Sequence, residues 1–384
     1  MQIPRILLQT VQSKIGEGKA IIIMGPRQAG KSTLLNELAK TTDRKSIFLD
    51  CDEPDIRQIL SNTTSTALKN LIGEATLVLI DEAQRVKNIG LTLKLFTDRM
   101  PGVQVVVTGS SSFELSNEIN EPLTGRKFEY LMLPLSTAEM MKHHGALDEK
   151  RLLPTRLIFG MYPEIVSKPG REVELLKGLA TSYLYKDIFT FRDVRKPEIL
   201  EQLLKALASQ VGSEVSYHEL AQTVRTDQTT VQRYLDLLEK SFVVFRLPAF
   251  SRNLRNELTQ TRKVFFYDNG IRNAILGNYS LLPTRTDVGA LWENFLVSER
   301  LKWLQNQRSH TQHYFWRTTE AREIDYLETF DGQIHAYEFK WNPERSVSFP
   351  KPFLNAYPEA QTQIVHPENY LNFLRLPDLA SSFS

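Results

Sequence analysis

Residues 25–33 read "GPRQAGKST" and follow the apolar run "AIIIM" at 20–24. Two glycines bracket four residues, and a lysine and a hydroxyl come next, the spacing GxxxxGK[ST]. A loop tightened by Gly25 and Gly30 turns its backbone N–H groups inward, and a helix opening at Lys31 adds its positive dipole end. Phosphates fit there. Gly25, Pro26, Arg27, Gln28, Ala29, Gly30, Lys31, Ser32 and Thr33 are the expected nucleotide-binding loop. Lys31 would reach the β- and γ-phosphates and Ser32 would offer its hydroxyl to Mg2+, so ATP and Mg2+ are the expected cofactors.

A second motif, "LVLIDEAQ" at 77–84, is a buried strand ending in Asp81 and Glu82. Carboxylates at the C-terminal edge of a parallel strand stand in the usual ligand crevice. Asp81 is expected in the Mg2+ shell and Glu82 as the group that orients the attacking water. Gln84 and Arg85 either support them or are solvated. The run "VQVVVTGSSS" at 103–112 ends in hydroxyls, of which Thr108 and Ser110 sense a γ-phosphate or simply close the strand. Arg126, in "PLTGRKFEYLML", stands where oligomeric ATPases place an arginine that reaches a neighbouring subunit's nucleotide; the other reading is a solvated arginine.

Alternating apolar runs and helical patterns continue to about residue 135, which predicts a parallel α/β sheet. Four zones follow from the changes of pattern. Residues 1–135 form an ATPase core, and 136–195 a helical lid or connector containing "STAEMMKHH" and "ELLKGLATSYLYKDI". Residues 196–285 contain three helices and a β-ribbon with the spacing of a winged helix. Residues 286–384 begin with the long helix "LWENFLVSERLKWLQ" and continue into the strands "HYFWR", "EIDYLET" and "IHAYEFKW".

Composition sets outer bounds. The chain has 384 residues, 41% hydrophobic and 24% charged, and two or three compact domains suit that length. A net charge of +2 confines any polyanion surface to a local patch. The apolar runs fall far short of the ~20 residues of a membrane span, no leader pattern opens the chain, and Cys51 is the single cysteine. A cytoplasmic location away from membranes is the expectation.

The order of "GPRQAGKST", "LVLIDEAQ", "TGSSS", "LTGR", "MYPEI", "YLYKDI", "KVFFYDNGIRNAILG", "WENFLVSERL" and "EIDY…EFK" resembles AAA-type ATPases of bacteria and archaea with a C-terminal nuclease-like domain. The resemblance covers nearly the whole chain. It implies a P-loop AAA-type core, a winged helix and a last domain similar to PD-(D/E)XK nucleases.

In "TDQTTVQRYLDLLEKS", Val231, Tyr234, Leu235 and Leu238 fall on one helical face, leaving Gln228, Thr229, Gln232 and Arg233 outward after a candidate N-cap at Asp227. That face suits DNA, or a docked protein. The stretch "RLPAFSRNLRNELTQTRK" adds Arg246, Arg252, Arg255, Arg262 and Lys263 as a candidate phosphate-tracking strip or a solvated face. At the C-terminal end, Glu338 and Lys340 alternate along a strand, with Asp325 from a neighbouring strand and Glu293 from the preceding helix. These four residues are the candidate nuclease site, binding Mg2+ through Asp325 and Glu338, or else an ion-pair cluster in a domain kept for DNA binding.

Three functions follow. The first is an ATP-hydrolysing motor or switch that remodels branched or forked DNA as a homo-oligomer, with a hexameric ring as one assembly. The second is an ATP-gated, metal-dependent nuclease. The third is a nucleotide-switched signalling or scaffolding ATPase that needs no DNA.

Overall fold

The computed structural model describes residues 3–110, 119, 122–181, 194, 196–251, 262–318, 320–345 and 348–376. It divides into two compact units, Met1–Leu135 with Lys240–Phe242, and Ser136–Glu239 with Val243–Ser384.

The first unit is built on five parallel strands, β1 (Ala20–Met24), β2 (Ser46–Asp50), β3 (Leu77–Asp81), β4 (Gln104–Gly109) and β5 (Lys127–Leu131). Their order across the sheet is β2-β3-β4-β1-β5. The three central strands are nearly continuous apolar runs because both faces of the sheet are covered. Alternation along each strand divides the residues between the faces. Ile21, Ile23, Leu79 and Val106 pack with Leu34, Leu35 and Leu38 of the helix Lys31–Lys40. Ile22, Val78, Ile80 and Val107 pack with Leu93 and Phe96 of the helix Ile89–Arg99. Truncating one such fully buried Ile or Leu to Ala removes about 2–5 kcal/mol. The pairing Met24↔Gly109 and Ile80↔Val107 brings the carboxyl ends of β1, β4 and β3 level along one edge.

In the second unit, the helices Thr137–His144, Ala146–Arg151, Leu153–Phe159, Pro163–Ser167 and Glu172–Ala180 come first. The first begins in a capping box, Ser136 with Glu139. Three helices follow, Pro197–Ser209, Tyr217–Thr223 and Gln228–Lys240, with the antiparallel strands β6 (Glu214–Val215), β7 (Val244–Pro248) and β8 (Arg262–Phe266) in the order β6-β8-β7. The helix Asn269–Leu276 is capped by Asp268, and the 20-residue helix Val288–Gln307 leads into the last sheet. That sheet contains β9 (Gln312–Arg317), β10 (Glu323–Phe330), β11 (Gln333–Phe339) and β12 (Gln361–Val365) in the order β12-β11-β10-β9. Strand β12 pairs parallel with β11 and was not foreseen. Its sequence "QTQIV" buries only Val365, so it carries no hydrophobic alternation to read.

Candidate functional site

The loop at 25–33 has the backbone a phosphate cradle needs. A Cβ at Gly25 would stand 2.0 Å from the Met132 carbonyl oxygen, so only glycine fits. Gln28 and Gly30 both take left-handed backbone conformations, φ 57° and 97°, which turn successive N–H groups to one side. Lys31 is curled into the loop, its Nζ donating to the Gly25 and Pro26 carbonyl oxygens at 2.9 and 2.8 Å. Burial lowers its pKa to about 8, against the opposing pull of Glu82 and Asp81. Ser32 and Thr33 are exposed on the first turn of the helix. Arg5, which the sequence reading passed over, clamps the loop by donating to Ala29 O at 2.9 Å and Leu133 O at 2.6 Å. A lone arginine before a short helix carries no sequence signal for such a role. A cavity of about 170 Å³ beside it is lined by residues that include Leu8, Thr33, Leu34 and Glu37.

The edge formed by β3 and β4 gathers Asp81, Glu82, Thr108 and Ser110. Asp81 Oδ1 accepts the Thr108 hydroxyl and the Glu82 N–H, the latter at 3.2 Å. Glu82 sits in the left-handed region at φ 51°, which turns its side chain out of the strand. Its Oε2 accepts from Ser110 Oγ at 3.0 Å and from Gln84 Nε2. Gln84 Nε2 also reaches Ser110 Oγ at 2.8 Å, and Gln84 Oε1 is buried with no hydrogen-bond partner among the described residues. Arg85 instead pairs with Asp52 at 2.7 Å on the surface. This constellation can hold a cation at Asp81 and present the Glu82 carboxylate to a water.

Arg126 lies at the other edge of the same sheet. Lys127 opens β5 opposite Ala20, whereas the phosphate loop follows Met24 at the far end of β1. Four residues of strand span about 13 Å, so Arg126 does not approach its own loop. It is exposed and pairs with Asp98 at 2.7 Å.

In the second unit, Asp227 caps the helix Gln228–Lys240 by accepting the Thr230 N–H at 2.8 Å. Val231, Tyr234, Leu235 and Leu238 are buried, and Gln228, Thr229, Gln232 and Arg233 are exposed. The proposed basic strip requires correction. Arg246 is folded onto Asp236 at 2.7 Å and onto Glu239. Lys263, expected at the DNA surface, is 1% exposed, and its Nζ is held by Glu293 at 2.9 Å and by Glu323. Burial opposes its charge, but the carboxylates of Glu293, Glu323 and Asp325 outweigh that and hold its pKa above the ordinary lysine value. A lysine committed in this way cannot also contact a phosphate. Arg252 and Arg255 lie outside the described residues.

The C-terminal residues do converge. Lys340 Nζ donates to Glu338 Oε2 at 2.8 Å and Asp325 Oδ2 at 3.2 Å, and Asp325 Oδ2 also accepts the Phe339 N–H at 2.7 Å. Glu293 is paired instead with Lys263, which also holds Glu323, and it meets the group only through the charge of Asp325. Burial, reinforced by Asp325, raises Glu338 to about 7; burial likewise raises Glu293 to about 7, even with Lys263 beside it.

A parallel sheet with a phosphate loop after one strand and acidic residues closing another defines a P-loop nucleotide-binding core. Comparison with known proteins agrees: residues 17–141 match an AAA domain. Residues 150–281 and 288–373 match domains of unknown function, DUF8612 and DUF4143. An uncharacterized protein of Mycobacterium tuberculosis is 27% identical over 334 residues, covering 85% of this chain and 71% of the relative. One of Haemophilus influenzae is 27% identical over 288 residues, covering 67% and 69%. Among solved structures, the Walker-type ATPase of Pyrococcus abyssi superposes with a TM-score of 0.50 at 16% identity, over 70% of this chain and 94% of that one. The likeness is one of fold. Together, the AAA match and this neighbour support an ATPase of the P-loop AAA type. Among the described residues no helix is long and apolar enough to cross a membrane.

Proposed function

We propose that this chain is a Mg2+-dependent ATPase that couples hydrolysis to the engagement and remodelling of branched or forked DNA. The observation that carries the chemistry is the meeting of Asp81, Glu82, Thr108 and Ser110 at the strand edge beside the phosphate loop. Lys31 exchanges its carbonyl partners for phosphate oxygens, and the loop N–H groups take the remaining negative charge. Ser32 and Asp81 would hold Mg2+, which supplies neutralisation of the phosphate charge. The base enters the cavity against Leu8 and Leu34. Glu82 orients the attacking water, with Gln84 Oε1 available as a second acceptor for it, and phosphoryl transfer needs chiefly this positioning.

DNA is met by Gln228, Thr229, Gln232 and Arg233, whose short polar and cationic side chains at the start of a capped helix suit groove and phosphate contacts. This is the winged-helix reading of the three helices and the sheet β6-β8-β7. Self-association places Arg126 at a neighbour's nucleotide, which suits its position at the sheet edge away from its own loop. The test is the ATP turnover rate measured with single-stranded, duplex, forked and four-way DNA. Stimulation by forked or four-way DNA, lost in Arg233→Ala, supports the coupling; turnover indifferent to every DNA at low salt moves the protein to a nucleotide switch that works without DNA.

A further inference from the structure

The nuclease resemblance asks Asp325 and Glu338, helped by Glu293, to share a divalent cation. Such an ion needs several carboxylate oxygens turned toward one point and free of other strong partners. In this chain each of these carboxylates already has one oxygen committed to a lysine. Lys340 bridges Asp325 and Glu338, Lys263 bridges Glu293 and Glu323, and Asp325 Oδ2 also takes a backbone N–H. Among the described residues no group of three or more His, Cys, Asp or Glu is placed to hold a metal ion. The donor set does not fit the metal.

Lys263 is what distinguishes this cluster from a site waiting for an ion. A lysine on a flexible surface could swing aside for a cation, but this one is 1% exposed. It sits on β8, the central strand of its sheet, paired with Glu214 on β6 and Leu247 on β7. Its ammonium lies 5.5 Å from the centre of the Phe315 ring. Arg317 adds a further positive charge, 3.1 Å from Glu214 and 3.8 Å from Glu323. The backbone is fixed from both sides and the side chain has no solvent to move into. Displacing it would leave a buried ammonium unpaired, which is strongly unfavourable.

We propose that Lys263 is a resident internal cation that takes the place of a divalent metal in the C-terminal carboxylate cluster. Its two bonds fasten β8 to the helix Val288–Gln307 and to β10, and the cluster neither binds a catalytic metal nor cleaves DNA. Removing Lys263 leaves Glu293, Glu323, Asp325 and Glu338 with Lys340 and Arg317 as counter-charges, an excess of carboxylate that a divalent ion relieves.

The experiment is a Mn2+ titration of the nucleotide-free full-length protein, read by electron paramagnetic resonance of the free ion. Wild type and Asp325→Asn are expected to give superimposable isotherms, since any ion at the phosphate loop is common to both. Lys263→Ala is expected to gain one bound Mn2+ per chain, and the double variant Lys263→Ala/Asp325→Asn to lose it. Wild-type binding that disappears in Asp325→Asn overturns the proposal, as does a folded Lys263→Ala that gains no ion. If Lys263→Ala does not fold, the wild-type pair decides, joined by Lys263→Arg, which keeps the cation and should match wild type. Labelled forked and linear DNA incubated with Mg2+ or Mn2+, with and without ATP, should remain uncut by wild type; metal-dependent cleavage that Asp325→Asn abolishes also overturns it.

Discussion

Ser110, the residue just after β4, donates its hydroxyl to Glu82 Oε2 over 3.0 Å, joining residues 28 positions apart. The hydrogen bond fixes the carboxylate that is to orient water, so its loss should act on chemistry rather than on binding. Ser110→Ala is expected to lower kcat about tenfold, the effect of one hydrogen bond worth ~1.4 kcal/mol, with ATP affinity within about twofold of wild type. Steady-state kinetics with an independent binding isotherm checks this. A matched loss of affinity would instead place Ser110 on the nucleotide itself.

Lys31 gives a pH signature. In the free protein its pKa is lowered to about 8, chiefly by burial. Phosphate oxygens favour its charged form, so nucleotide binding should draw in a proton wherever the free lysine is neutral, above about pH 8. Calorimetry in buffers of different ionisation enthalpy should show uptake approaching one proton per ATP at pH 9 and far less at pH 7.2. Equal proton counts at the two pH values would remove Lys31 from the phosphate contact.

Much of this was legible in the sequence for a physical reason. Strands buried on both faces must be apolar at every position, so "AIIIM", "LVLI" and "VVV" stand out, and the glycines of the loop are forced by backbone geometry. Val231, Tyr234, Leu235 and Leu238 were readable as the buried face of a helix because period 3.6 separates them from Gln232 and Arg233. Lys263 was not readable. Beside Arg262 it looks like part of a charge run, and the carboxylate that holds it is Glu293, 30 residues on, brought close only by the fold. Arg5 is the same case, since Ala29 O and Leu133 O are backbone carbonyls, which no sequence pattern marks.

The C-terminal cluster should show in stability. Glu338 has its pKa raised to about 7, from burial first and Asp325 second. Below the usual carboxylate range folded and unfolded chains bind this proton equally; between about 4.5 and 7 the folded chain binds more, so this contribution to stability is lost as pH rises through that window. Glu338→Gln should therefore unfold at the same urea concentration as wild type near pH 4.5 to within its neutral substitution, and at a higher concentration at pH 8. A variant less stable than wild type at pH 8 would mean that the ionised Glu338 contributes net stability through Lys340.

Arg126 supplies a test of assembly. Its position at the sheet edge, remote from its own loop, is compatible with the proposed action on a neighbour. Arg126→Ala and Lys31→Ala proteins should each be inactive alone and should recover part of the wild-type turnover when mixed, because an intact loop then meets an intact arginine. Mixed assemblies that stay inactive would count against a shared site.

The central claim is that the edge formed by Lys31, Asp81 and Glu82 hydrolyses ATP, and single-turnover hydrolysis of Mg-ATP by wild type, Glu82→Gln and Lys31→Ala, with nucleotide binding measured on the same samples, tests it most directly. The account predicts that Glu82→Gln binds ATP as wild type does but turns it over at least about 100-fold more slowly, general-base contributions being of that order, while Lys31→Ala loses binding itself. Hydrolysis by Glu82→Gln at the wild-type rate, or ATP bound equally well by Lys31→Ala, would contradict it.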